Sequence, residues 1–165
     1  MLICVQVSLS AFSLLFLEIV QYQQNRIETA MDLAKKLEEV GYGVGQRIIE
    51  LSASRDRATR RETKLVNMLQ HVTTVIWKQL FGKAADSLER STENENEYMI
   101  GEVAPITNTF VSVPQEIEGF NCASFIAGII AGVLDSARFN AEVTAHHQGD
   151  GPDRTVFLIK FSPEV

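Results

Sequence analysis

From Leu9 to Val20 almost every residue is apolar, and the apolar residues do not keep to one side of a helix. Ser8 can cap a helix that runs from Leu9 to about Asn25. Leu9, Phe12, Phe16 and Ile19 then fall at helical spacing on one face, while Leu14, Leu15, Leu17 and Val20 occupy others. A helix that is apolar nearly all round has to be covered on more than one side. In a chain of 165 residues, the length of one compact domain, the second cover is either the rest of the domain or another chain. The run is not a targeting segment, because no Lys or Arg precedes Arg26, whereas a signal peptide wants a basic start. Nor is it a span of about 20 apolar residues, since Gln6, Ser8, Ser10 and Ser13 interrupt it and Glu18 ends it. Residues 1–7 read as a short leader, and 8–165 as a single domain without repeat or linker.

A second helix is expected from Thr29, where Asp32 three residues on makes a variant of the capping box, to the residue before Gly41, a natural helix stop. A third follows from about Gly43 to Ser54, with Val44, Ile48, Ile49 and Leu51 as its stripe. The run Gly41-Tyr42-Gly43-Val44-Gly45 has no strand before it and no Gly-Lys-Ser/Thr after it, so it reads as a turn rather than a phosphate loop. A fourth helix spans roughly Glu62 to Phe81, with Gly82 at its end, and a short one follows at Ala84 to Arg90. Beyond an acidic loop, Ser91 to Glu97, the period changes. Glu97 to Val103 and Thr107 to Val113 are candidate strands. Asn121 caps a fifth helix, Cys122 to Ala137. Strands at Ala141 to His147 and Thr155 to Phe161 enclose the turn Gly149-Asp150-Gly151-Pro152, a strong hairpin signal. The fold class is α+β: four N-terminal helices, then a small antiparallel sheet with one further helix packed on it.

Little in this sequence points to chemistry. The chain is 45% hydrophobic, enough for a real core, and its net charge of −6 makes it a poor partner for nucleic acid or an anionic membrane. Cys4 and Cys122 form no CxxC pair, which fits a cytosolic protein with reduced thiols. Cys122 at a helix start, with His146 and His147 downstream, caricatures a nucleophile pair. Adjacent strand residues point to opposite faces, however, so only one His could serve any site. The plain reading is a small buried thiol and two ordinary strand histidines. His71 stands alone on its helix, without HxxxH or HExxH spacing, so no metal site or cofactor is expected. Arg55, Arg57, Arg60, Arg61 and Lys64 could meet acidic lipid or an acidic partner, or could form a solvated helix entrance softened by Asp56 and Glu62. Ser124, Gly128 and Gly132 recur every four residues and make a flat strip for close packing, expected against the sheet.

Several segments in a fixed order carry a resemblance. They are Val7-Ser8-Leu9-Ser10-Ala11-Phe12, Gly41-Tyr42-Gly43-Val44-Gly45-Gln46-Arg47, Arg60-Arg61-Glu62-Thr63-Lys64, Trp77-Lys78 with Leu80-Phe81-Gly82-Lys83, Ile106 to Pro114, Asn121-Cys122-Ala123-Ser124-Phe125 and Val143-Thr144-Ala145-His146. With them the chain resembles the small α/β subunits of the TRAPP vesicle-tethering complex, and most closely the subunit-5 branch. The resemblance implies a non-catalytic scaffold in ER-to-Golgi transport, within a complex that promotes nucleotide exchange on a Rab-type GTPase. It implies a cytoplasmic protein, peripheral on cis-Golgi, ER exit site and vesicle membranes. The implied partners are the acyl-carrying paralogue, through the first helices, and the longin-fold subunit sedlin. Leu9, Phe12, Leu15, Phe16 and Ile19 are the expected partner interface. The acyl-carrying paralogue has a cysteine shortly before its Arg-Glu-Thr, and residues 55–60 here contain none. The alternative is a stand-alone domain of related fold that encloses an acyl chain.

Overall fold

The computed structural model describes residues 7–27, 29–55, 63–109, 111, 120–149 and 154–162. Helix α1 (Leu9–Gln24) begins where the Ser8 hydroxyl accepts the Ala11 N–H at 3.3 Å. Helix α2 (Ala30–Arg55) begins with the expected box: Thr29 Oγ1 accepts the Asp32 N–H at 3.2 Å and donates to the Asp32 carboxylate at 2.6 Å. It then runs through Gly41, Gly43 and Gly45 without a break. The two helices expected on either side of Gly41 are therefore one. A helical glycine costs about 1 kcal/mol relative to alanine, and here Gly41 and Gly45 are buried against the backbone of another helix, a contact no other residue allows.

Helix α3 (Leu65–His71), a π-helical turn (Val72–Ile76) and helix α4 (Trp77–Phe81) follow end to end and form the expected fourth helix. The π turn frees the Thr73 carbonyl, which accepts the Ala85 N–H at 2.9 Å. Gly82 closes the rod in the left-handed conformation, φ +80°. The next segment is not the expected short helix. Ser87–Arg90 is strand β1, zipped antiparallel to β2 (Glu97–Val103) with Leu88 opposite Ile100. Pairing with a long neighbour decides so short a segment, whose own period is ambiguous.

Helix α5 (Ser124–Ser136) precedes β3 (Ala141–His147) and β4 (Arg154–Phe161). The sheet is antiparallel throughout, in the order β1-β2-β4-β3. β3 and β4 are neighbours, as the hairpin signal requires, and residues 150–153 at the turn lie outside the described residues. Of the strand expected at Thr107 to Val113, residues 106–109 form a turn in which the Asn108 N–H and the Thr109 hydroxyl both reach the Pro105 carbonyl, at 2.9 and 3.3 Å. Phe110, Ser112 and Val113 lie outside the described residues. The architecture is α+β, with three helical rods before the sheet and α5 inserted into it among the described residues. Ile100, Phe157 and Ile159 are fully buried and share the core with Ile126, Ile130, Leu134 and Trp77.

Candidate interaction surface

The first helix presents two different sides. Phe16 is 3% exposed and Val20 7%. The Phe16 ring lies 5.4 Å from that of Phe125 on α5 and 5.8 Å from that of Phe12. Phe12 and Ile19 are half-buried beside the same core. On the other side Leu14 and Leu15 are 70% and 62% exposed, with Tyr22 below them, and Val7 and Leu9 are exposed at the helix start. The guanidinium of Arg26 stacks over the Tyr22 ring at 4.0 Å. Of the five residues singled out on this helix, Leu15 thus faces outward, Leu9 is exposed at the helix start on the side of Phe16, and Phe12, Phe16 and Ile19 anchor the helix to its own domain. Helical spacing separates Leu15 from the Phe12, Phe16 and Ile19 stripe, but it does not say which side the domain itself covers, because both sides carry large apolar residues. Met31 at the start of α2 is also exposed.

Gly128 and Gly132 line the buried contact between α5 and α2, not the sheet, and Ser124, one turn earlier, is buried. A Cβ on Gly128 would collide with the Glu38 backbone, and one on Gly132 with that of Tyr42. Gly41 and Gly45 meet the carbonyls of Phe125 and Ile129 in the same way. Two rows of glycine therefore interlock, each spaced by four residues, and they set the two backbones against each other. The strip meets α2 rather than the sheet because Gly41 to Gly45 is helix, not turn, and supplies the matching groove. At the end of this contact the Tyr42 hydroxyl hydrogen-bonds the Asp135 carboxylate, which pushes the tyrosine pKa up.

The other candidate groups are quiet. Burial pushes the Cys122 thiol up to about 12, the reverse of what activates a nucleophile. His146 is exposed, its Nε2 is 2.8 Å from the Thr144 hydroxyl of the same strand, and His147 is exposed as well. His71 is half-buried, and no group of metal-ligating side chains occurs among the described residues. Of the basic run, Arg55 ends α2 and Lys64 precedes α3, while Arg57, Arg60 and Arg61 lie outside the described residues.

One polar cluster was not anticipated. Glu102 on β2 is buried, and its carboxylate accepts the Trp77 indole N–H at 3.0 Å and pairs with Lys83 at 2.7 Å. Lys83 also reaches Asp86 at 3.4 Å, and Asp86 in turn accepts the Val103 N–H at 2.7 Å. The Glu102 partnership raises the Lys83 pKa. Alternation along β2 puts Glu102 on the inner face with Tyr98 and Ile100, which is the one signal the sequence offered. Beside this cluster lies a cavity of about 70 Å³ between Trp77, Phe81, Pro105, Ile106 and Ile126. Pockets for small organic ligands typically measure about 300–1,000 Å³. No helix among the described residues is long and apolar enough to cross a membrane.

Comparison with known proteins agrees with this architecture. A trafficking protein particle complex subunit 5 of Dictyostelium discoideum is 48% identical over 163 residues, covering 97% of this chain and 88% of its own length. The human subunit of the same name is 44% identical, with 97% and 83% covered. Among solved structures, a trafficking protein particle complex subunit 3 from Naegleria fowleri, covalently bound to palmitic acid, superposes with a TM-score of 0.81 at 19% identity, over 93% of this chain and 95% of that one. At that identity the match concerns the fold alone. Residues 12–162 match the family described as transport protein particle (TRAPP) component, and with the near-full-length relatives this makes the chain a member of that family.

Proposed function

We propose that the chain is a non-catalytic scaffold subunit of a TRAPP complex, in the position of subunit 5, and that it docks on a paralogous small subunit through the outer face of α1. The observation that carries this reading is the exposure of Leu14, Leu15 and Tyr22 on the outer side of α1, around Glu18. A protein with no further partner rarely leaves large apolar side chains grouped on one exposed side of a helix. The packing of Phe12, Phe16 and Ile19 on the core supports the same reading from beneath, because it turns the side of Leu14 and Leu15 outward. The partner proposed for this face is the acyl-carrying paralogue, and a sedlin-type longin subunit takes another face. The assembly would work peripherally on cis-Golgi, ER exit site and vesicle membranes in ER-to-Golgi transport, as part of an exchange factor for a Rab-type GTPase. The buried, protonated Cys122 and the scattered histidines favour a role without catalysis. The alternative, acyl-chain binding by this chain, draws no support from a cavity of about 70 Å³.

The test is co-expression with the paralogous subunit followed by size exclusion. Leu15→Glu is expected to abolish co-elution, a loss of about 2 kcal/mol or more, in a protein whose circular dichroism is unchanged. If no charged substitution at Leu9, Leu14 or Leu15 weakens assembly of a folded protein, the interface lies on another face.

A further inference from the structure

The two edges of the sheet are finished differently. β1 is four residues long, carries Glu89 and Arg90, and the Arg90 guanidinium folds back onto the Glu95 carbonyl at 3.1 and 3.2 Å. A short, charged edge is how proteins avoid unwanted strand pairing. β3, at the opposite edge, is seven residues long and has no proline, lysine or bulge. Its hydrogen-bonding phase follows from two contacts: the Gln148 N–H donates to the Arg154 carbonyl at 2.9 Å, and the Ser162 N–H to the Asn140 carbonyl at 3.5 Å. In an antiparallel ladder such pairs alternate. The even-numbered residues of β3 therefore bond to β4, and Ala141, Val143, Ala145 and His147 turn their N–H and C=O groups outward. Among the described residues, no strand lies beyond them.

We infer that the β3 edge is a self-complementary surface that pairs with β3 of a second copy, antiparallel and centred on Thr144. Three observations select this occupant and register. Centring on Thr144 is the register in which all seven residues overlap, and it matches the outward groups of one copy to those of the other, Val143 to Ala145 and Ala141 to His147. It sets Thr144 opposite Thr144 of the second copy, a favourable cross-strand pair. It also sets Glu142 opposite His146 of the second copy on the outer face, a carboxylate facing a hydrogen-bond donor, and does so twice by symmetry. A shift of two residues loses the Thr–Thr pair and the Glu–His pairs. The surface is separate from α1, so it would join two copies each already docked to a different partner.

The experiment is sedimentation velocity on the full chain carrying Leu15→Glu, which removes the apolar face of α1 from the comparison. A dimer that forms with rising concentration is expected. Ala145→Pro removes an outward N–H and none that bonds β4, so it is expected to weaken the dimer about tenfold or more without altering the circular dichroism. Glu142→Lys is expected to weaken it as well, and Glu142→Lys combined with His146→Glu to restore it. A chain that stays monomeric up to about 1 mM, a dimer indifferent to Ala145→Pro, or a charge reversal without rescue would each overturn the inference.

Discussion

Helices α1 and α5 are both apolar on nearly every face, yet one is covered on every side by its own domain and the other on only half. From Ser124 to Ile130 every residue of α5 is buried. On α1 only Phe16 and Val20 are. The difference lies less in hydrophobicity than in side-chain size. Gly128 and Gly132 let α5 come within backbone contact of α2, whose own Gly41 and Gly45 complete the fit, and the sheet closes its other side. α1 has no such small residues in register. It rests on α5 through the rings of Phe12, Phe16 and Phe125, and bulky groups of that kind hold a helix at the surface of a core rather than inside it. Being apolar all round specifies that a helix will be covered. The presence of a groove specifies whether its own chain does the covering.

That comparison can be broken at its strongest point by Gly128→Leu. The new side chain has to displace the Glu38 backbone, so a loss of about 3 kcal/mol or more is expected, together with a lower urea midpoint. A variant that melts like the parent would show that the helices separate at little cost. Next in size is the inner side of α1. Phe16→Ala removes a ring packed on two others and is expected to cost about 3 kcal/mol in thermal or urea unfolding. The outer side provides the contrast. Leu15→Ser is expected to change the stability of the isolated chain by no more than about 0.5 kcal/mol, because the side chain is 62% exposed. If Leu15→Ser costs as much as Phe16→Ala, the outer face is covered within the chain itself, and the division drawn on α1 fails.

Some of this molecule could be read from its residues because the signals are local. Ser8 and Thr29 cap helices with their own hydroxyls. Gly82 takes the left-handed conformation that ends the third rod, and β3 and β4 alternate strongly enough to be found without a partner. The resemblance to the TRAPP family was legible for a similar reason, since ordered short segments survive in a linear string. What was misread depended on contacts distant in sequence. Gly41 to Gly45 looks like a turn until α5 lies across it. Ser87 to Arg90 looks helical until β2 pairs with it, and the Glu102 cluster went unanticipated because Trp77 and Lys83 come to it from outside its strand.

The sequence by itself determined that the first helix would carry more apolar surface than one face of a domain can use, because composition and period are properties of the string. Only the tertiary structure decided that Phe12, Phe16 and Ile19 spend theirs on the core while Leu14 and Leu15 do not, since that choice is made by the shape of α5 and the side of α1 that meets it.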